Sequence, residues 1–112
     1  MKKNISKLPK KKTFNLFGVK IKIVYQDNSV DEKGNWLYGY TKYLADLTEI
    51  YLSTKDKDGK KLTEDSILRT LRHELFHTIL SRGMYFDECN NEPMIEWLAL
   101  CTDELNKQGL SI

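Results

Sequence analysis

Histidine, cysteine and proline each occur only twice in this sequence of 112 residues, and each scarcity narrows the reading. The two thiols, Cys89 and Cys101, offer at most one bridge and no disulfide framework. In a chain without a leader they are expected to be reduced. No run approaches the roughly 18 consecutive apolar residues that a membrane span requires. A secretory leader is also missing by pattern, because Leu8-Pro9-Lys10 stands where its apolar segment would lie. The expectation is a cytoplasmic protein with no membrane partner. There is no internal repeat, and the length suits one domain.

Acids are absent from residues 1–12, which carry six lysines (Lys2, Lys3, Lys7, Lys10, Lys11 and Lys12). Without them the remaining 12 basic and 16 acidic residues leave the rest of the chain at about −4, although the whole stands at +2. Residues 1–12 therefore read as a flexible basic arm, and residues 13–112 as the folded domain. A basic arm can touch nucleic acid or an acidic partner. This one has no interleaved aromatics to stack on bases, so a solubilising terminus is the expectation and nucleic-acid contact through residues 2–12 the alternative.

From Thr13 onward the pattern changes. Phe14 to Phe17 and Val19 to Tyr25 alternate and are rich in β-branched residues, with Gly18 between them, which predicts a strand or two arms of a bend. Trp36 to Thr41 and Glu49 to Ser53 predict two more strands, with residues 42–48 between them open to either reading. Residues 26–35 and 55–61 carry turn residues. The period then becomes helical. Ile67, Leu68, Leu71, Leu75, Ile79 and Leu80 recur at spacings of three and four. Thr63 is a natural N-cap, Glu64 and Asp65 suit the positive end of the helix dipole, and Gly83 suits a C-terminal stop. The spacing predicts one helix over 64–82. A short polar connection over 84–91 leads to a second helix from about Glu92 to near Gly109, capped by Asn91, with Pro93 in its first turn. Ile95, Leu98, Ala99, Thr102 and Leu105 are its predicted inner face. Strands first and helices afterwards indicate an α+β domain, with about three strands in a short antiparallel or mixed sheet packed on the two helices.

Both histidines fall in one pentapeptide, His73-Glu74-Leu75-Phe76-His77, which fits H-E-x-x-H. Residues four apart on a helix lie one above the other, so two imidazoles can share one Zn²⁺ at about 2.0–2.1 Å. Glu74 stands beside the first histidine, where a carboxylate can serve as general base toward a metal-activated water. A catalytic zinc usually has three protein ligands and an open position. With no histidine left, the third comes from Asp87, Glu88, Cys89, Glu92 or Glu96.

The motif followed by Asn91-Glu92 and Glu96 resembles the gluzincins, the thermolysin-like zinc metallopeptidases. In those, a glutamate on the next helix completes the metal site, an asparagine precedes it and a supporting acid follows four residues later. The resemblance implies a zincin-like fold, one Zn²⁺ per chain, His73, His77 and Glu92 as ligands, and Glu96 as a partner for a ligand imidazole. Glu96 stands where that pattern has aspartate. Only 14 residues separate His77 from Glu92, and Ala99 lies seven after Glu92. In these respects the chain looks closer to the minigluzincins and to the phage- and mobile-element-associated ImmA/IrrE-like metallopeptidases. The likeness covers about residues 36–105.

The implied activity is hydrolysis of a peptide bond in a protein or peptide substrate, with narrow specificity because no second lobe builds a deep cleft. Tyr85, Tyr40 and Arg82 are candidates for substrate or oxyanion contacts. The strand Trp36 to Thr41 is the candidate for pairing with an extended peptide, with cross-strand packing as its alternative role. A different class of function remains: a zinc-binding module that is catalytically quiet or latent, with the basic arm docking a partner.

Overall fold

The structure is a computed structural model that describes residues 8–110 apart from Lys11 and Phe17. Most of the basic arm lies outside the described residues. The strand expected over 14–25 divides at Gly18, which takes a left-handed φ of +82°, into β1 (Thr13–Leu16) and β2 (Val19–Gln26). Phe17, counted with the first arm, is outside the described residues. A two-residue pair follows, β3 (Ser29–Val30) with β4 (Trp36–Leu37), and then β5 (Gly39–Tyr43) and β6 (Leu47–Ser53). Among the described residues the three strands expected thus become six, in two sheets.

The larger sheet has the order β1-β2-β6-β5. β2 and β6 run parallel, and each is flanked by an antiparallel neighbour, so the sheet is mixed. A parallel pair cannot be closed by a tight turn and needs a long crossover. Here that crossover carries β3, β4 and β5, and it delivers β5 to the far edge before the chain returns as β6 between β5 and β2. Alternation sets the faces. Ile21 and Ile23 of β2 and Thr48, Ile50 and Leu52 of β6 are buried, while Lys20 and Lys22 point outward.

Helix α1 (Glu64–Arg82) covers the buried face. Thr63 caps it by accepting a hydrogen bond from the Ser66 backbone N–H at 3.1 Å. Ile67 and Leu71 complete the core with the four sheet residues Ile21, Ile23, Ile50 and Leu52, and Leu68 and Leu75 pack at its margin. Helix α3 (Glu92–Lys107) lies against α1 through the buried Ile95 and Ala99, with Asn91 as its N-cap. Leu105, expected on this inner face, is exposed.

Two features of the helical half differ from the sequence reading. Gly83 does cap α1, but at φ −80°, and the left-handed residue is Met84 at φ +66°. Backbone N–H groups of Gly83, Met84 and Tyr85 close onto Ile79, Ser81 and Leu80, so the chain turns one residue later than a glycine stop requires. The connection expected as irregular contains a helical turn, α2 (Phe86–Cys89). Among the described residues no helix is long and apolar enough to cross a membrane. The result is an α+β fold in which a mixed sheet is covered on one face by helices.

Candidate metal centre

Helices α1 and α3 meet through a ladder of polar side chains. Asp103 accepts from Arg69 Nε at 3.2 Å and from the Arg72 guanidinium. Glu96 meets His73, and Glu92 meets both His73 and His77. Partners advance along α1 as they recede along α3, so the helices are antiparallel. Glu92, Glu96, Ala99 and Asp103 recur at spacings of four, three and four, which is one stripe of a helix. Ala99 is fully buried within that stripe, and its small side chain lets the carboxylates above and below it reach α1.

The His73 and His77 Nε2 atoms are 3.2 Å apart. Glu92 brings Oε2 to 3.0 Å from His73 Nε2 and Oε1 to 3.0 Å from His77 Nε2. These three residues form a cluster that could hold a divalent cation. The histidines are half-buried, whereas 64% of the Glu92 side chain is exposed.

The other ring nitrogens establish what the converging atoms offer. His73 Nδ1 lies 3.0 Å from Glu96 Oε2, and His77 Nδ1 lies 2.6 Å from the Cys89 carbonyl oxygen. Carboxylate and carbonyl oxygens only accept here, so each Nδ1 carries the proton and donates. In the neutral rings both Nε2 atoms then present lone pairs, and these face each other and the Glu92 oxygens. Four electron-rich atoms converge with no donor among them, an arrangement that a cation relieves. Ligands about 2.0–2.1 Å from a tetrahedral ion stand roughly 3.3–3.4 Å from one another. The separations of 3.0–3.2 Å are close to that. The donor set, two imidazoles and a carboxylate, suits zinc, and the outer acceptors fix both tautomers in the ligating form.

Glu74 stands on the same helix, facing the sheet. Its Oε1 accepts a hydrogen bond from Thr41 Oγ1 of the edge strand β5 at 2.9 Å. Thr41, Gly39 and Tyr43 alternate onto the α1 face of β5. The strand approaches so closely at Gly39 that a Cβ there would lie 2.5 Å from the Tyr51 carbonyl oxygen and 2.8 Å from Thr70 Cγ2. Glycine is required at this point by space, and it brings Thr41 within reach of Glu74. The sequence reading missed Thr41 because its partner lies 33 residues away, and only the strand register discloses it.

Cys89 is not part of the cluster. Its thiol donates to the His77 carbonyl oxygen at 3.2 Å and lies 3.9 Å from Nδ1, the ring nitrogen turned away from Glu92. Burial pushes the thiol pKa up, and the Glu92 and Glu74 charges push the same way, so the thiol is held neutral. Its backbone carbonyl is what serves the site. Asp87 and Glu88 sit exposed on α2, outside the cluster.

The three residues expected to make substrate or oxyanion contacts have these surroundings. Tyr40 alternates onto the sheet face opposite α1 and stacks on Tyr51 with ring centroids 4.7 Å apart. Arg82 donates from Nη2 to the buried Thr48 Oγ1 at 2.8 Å and lies over the Tyr43 ring at 6.0 Å. Tyr85 is exposed, with its ring against Gly83. A tyrosine the sequence did not single out, Tyr43, stands beside the Thr78 side chain, one residue past His77. Burial raises its pKa, and the Cys89 and Glu74 charges add to the shift. No protein-family model, no curated protein and no solved structure matches this chain.

Proposed function

We propose that the chain is a small zinc-dependent metallopeptidase, with His73, His77 and Glu92 holding the metal and Glu74 acting as general base. The observation that carries the reading is the convergence of two Nε2 lone pairs and a carboxylate beside an independently held glutamate. A bound divalent cation supplies Lewis-acid activation of a water and of a carbonyl oxygen. The chain's own residues do the rest. Glu96 and the Cys89 carbonyl hold the two imidazoles in their ligating tautomers. Thr41 fixes the Glu74 carboxylate through Oε1, which leaves Oε2 to take a proton and return it to the leaving amine. The edge of the sheet, β5, runs beside this carboxylate and offers an extended peptide backbone groups to pair with. A gluzincin-like identity rests on H-E-x-x-H with Asn91, Glu92 and Glu96, and the narrow specificity and cytoplasmic setting belong to the same proposal.

A second reading has its own support. A metal-binding module without turnover needs nothing beyond the three-residue cluster, and that part of the proposal stands on more observations than the hydrolytic part. In that case the metal joins α1 to α3, and Glu74 is a helix residue bonded to Thr41.

Native mass spectrometry with metal analysis, followed by digestion of a diverse peptide library, separates the readings. Peptidase function requires one zinc per chain in wild type and in Glu74→Gln, loss in His77→Ala, and weakening in Glu92→Ala. Cleavage must occur in wild type and disappear in Glu74→Gln. One zinc with no cleavage leaves the binding module. No metal after reconstitution with excess zinc rejects both.

A further inference from the structure

Beside Glu74, bordered by α1, β5 and α3, lies a cavity of about 330 Å³. Its metal end is formed by His73, Glu74 and Glu96, and its other end by Ser66, Arg69 and Thr70, with Tyr38 and Gly39 as one wall. Residues 69, 70, 73 and 74 share one face of α1 by their spacing. Five residues of rise separate Arg69 from Glu74, about 7.5 Å along the helix axis. A group whose reacting carbonyl sits at the metal end would place a neighbouring side chain toward Arg69.

The two ends differ in charge. Glu74 and Glu96 make the metal end acidic in the absence of a cation. At the far end, Arg69 and Arg72 share the single carboxylate of Asp103, so the trio carries one net positive charge. Asp103 engages Arg69 through Nε only, and among the described residues the Arg69 Nη nitrogens have no acceptor. They are the donors that bind a carboxylate in a two-pronged contact. Thr70 donates its hydroxyl back to the Ser66 carbonyl at 3.2 Å, and Arg69, which borders both this cavity and the Asp103 side of the helices, is the arginine among the residues that line it.

We infer that this cavity selects ligands bearing a carboxylate next to the reacting bond, and that Arg69 is the residue that recognises it. The carboxylate is an acidic side chain or a free chain terminus. This rests on the peptidase reading and names the substrate class of that site.

The test uses three short peptide-like hydroxamates that anchor on the metal, titrated calorimetrically into the zinc-loaded protein. One carries a glutamate side chain and an amidated terminus, one carries glutamine in its place, and one carries alanine with a free terminal carboxylate. In wild type a carboxylate probe binds about tenfold tighter than the glutamine probe, and the advantage shrinks as salt is raised. Whichever carboxylate probe gains identifies the source. Arg69→Gln abolishes the advantage and Arg69→Lys retains part of it. Since Arg69 also holds Asp103, the lysine variant and the salt series test the contact should the glutamine variant fail to fold. Equal affinity of all three probes in wild type overturns the inference while leaving the metal site intact, as does an advantage unchanged in both variants. A carboxylate advantage without any peptide cleavage supports the cavity's selectivity and removes the peptidase reading. Failure to load zinc removes both.

Discussion

Metal binding should raise the melting temperature by an amount that the cluster and the chain length together fix. The three ligand atoms join α1 to α3, so a cation finds its complete ligand set only in the folded chain. At free zinc a hundred times its dissociation constant, the stabilisation is about 2.7 kcal/mol. Unfolding entropy near 60 °C is about 2.1 cal/mol/K per residue, or roughly 0.24 kcal/mol/K for a chain of this length. The quotient is a rise of about 11 °C. Differential scanning fluorimetry of the metal-stripped protein, with and without zinc, reads it directly. Glu74→Gln should keep the full rise, because the residue is outside the cluster and glutamine still accepts from Thr41. His77→Ala should show almost none, and Glu92→Ala an intermediate value. A rise under about 2 °C in wild type at saturating zinc, on that same arithmetic, would refute the reasoning. An equal rise in His77→Ala would refute the ligand assignment.

Other perturbations bear on the scaffold. Asp103→Ala should cost about 1–3 kcal/mol in urea unfolding, since it strips two guanidiniums, one of them largely shielded, of their shared acceptor. Gly39→Ala should cost a similar 1–3 kcal/mol and lower hydrolysis as well, because the strand must withdraw from Thr70 and carry Thr41 with it. Leu71→Ala should cost about 2–5 kcal/mol by opening the core under α1. Alkylation of Cys89 at pH 8 should be markedly slower in the folded protein than in the denatured chain, because a raised pKa leaves less thiolate. By the same sign, the stability tied to the neutral Cys89 thiol and Tyr43 phenol is complete below their ordinary pKa values. It is lost as pH rises through the folded ones, so an alkaline titration of unfolding should show it.

The two long helices were legible in the sequence and the sheet only in outline, for a physical reason. Helix geometry is local, so Thr63, the apolar spacing and Asn91 suffice to place α1 over 64–82 and the start of α3 at Glu92. The faces of His73, His77, Glu92 and Glu96 follow from the same period. Strand faces depend on register with a distant partner. Tyr40 and Thr41 are adjacent, yet one stacks on Tyr51 away from α1 and the other reaches Glu74. Nothing in the local pattern separates them. The Cys89 carbonyl was equally hidden, because a backbone acceptor has no residue-type signature. Met84 took the left-handed position that glycine statistics assign to Gly83, with three backbone hydrogen bonds around it to hold the turn.

The insertion of β6 between β2 and β5 has a bearing on folding order. The last strand in the chain is an inner strand of the sheet, so Thr41 reaches its final position only once residues 47–53 have docked between two strands made earlier. Such non-local pairing is slow. The His73–His77 pair needs only a few helical turns and can form long before. The refolding chain would therefore own two of its three ligand residues before Thr41 arrives to hold Glu74. Zinc present during refolding should speed the docking of α3 and leave the rate of sheet assembly unchanged.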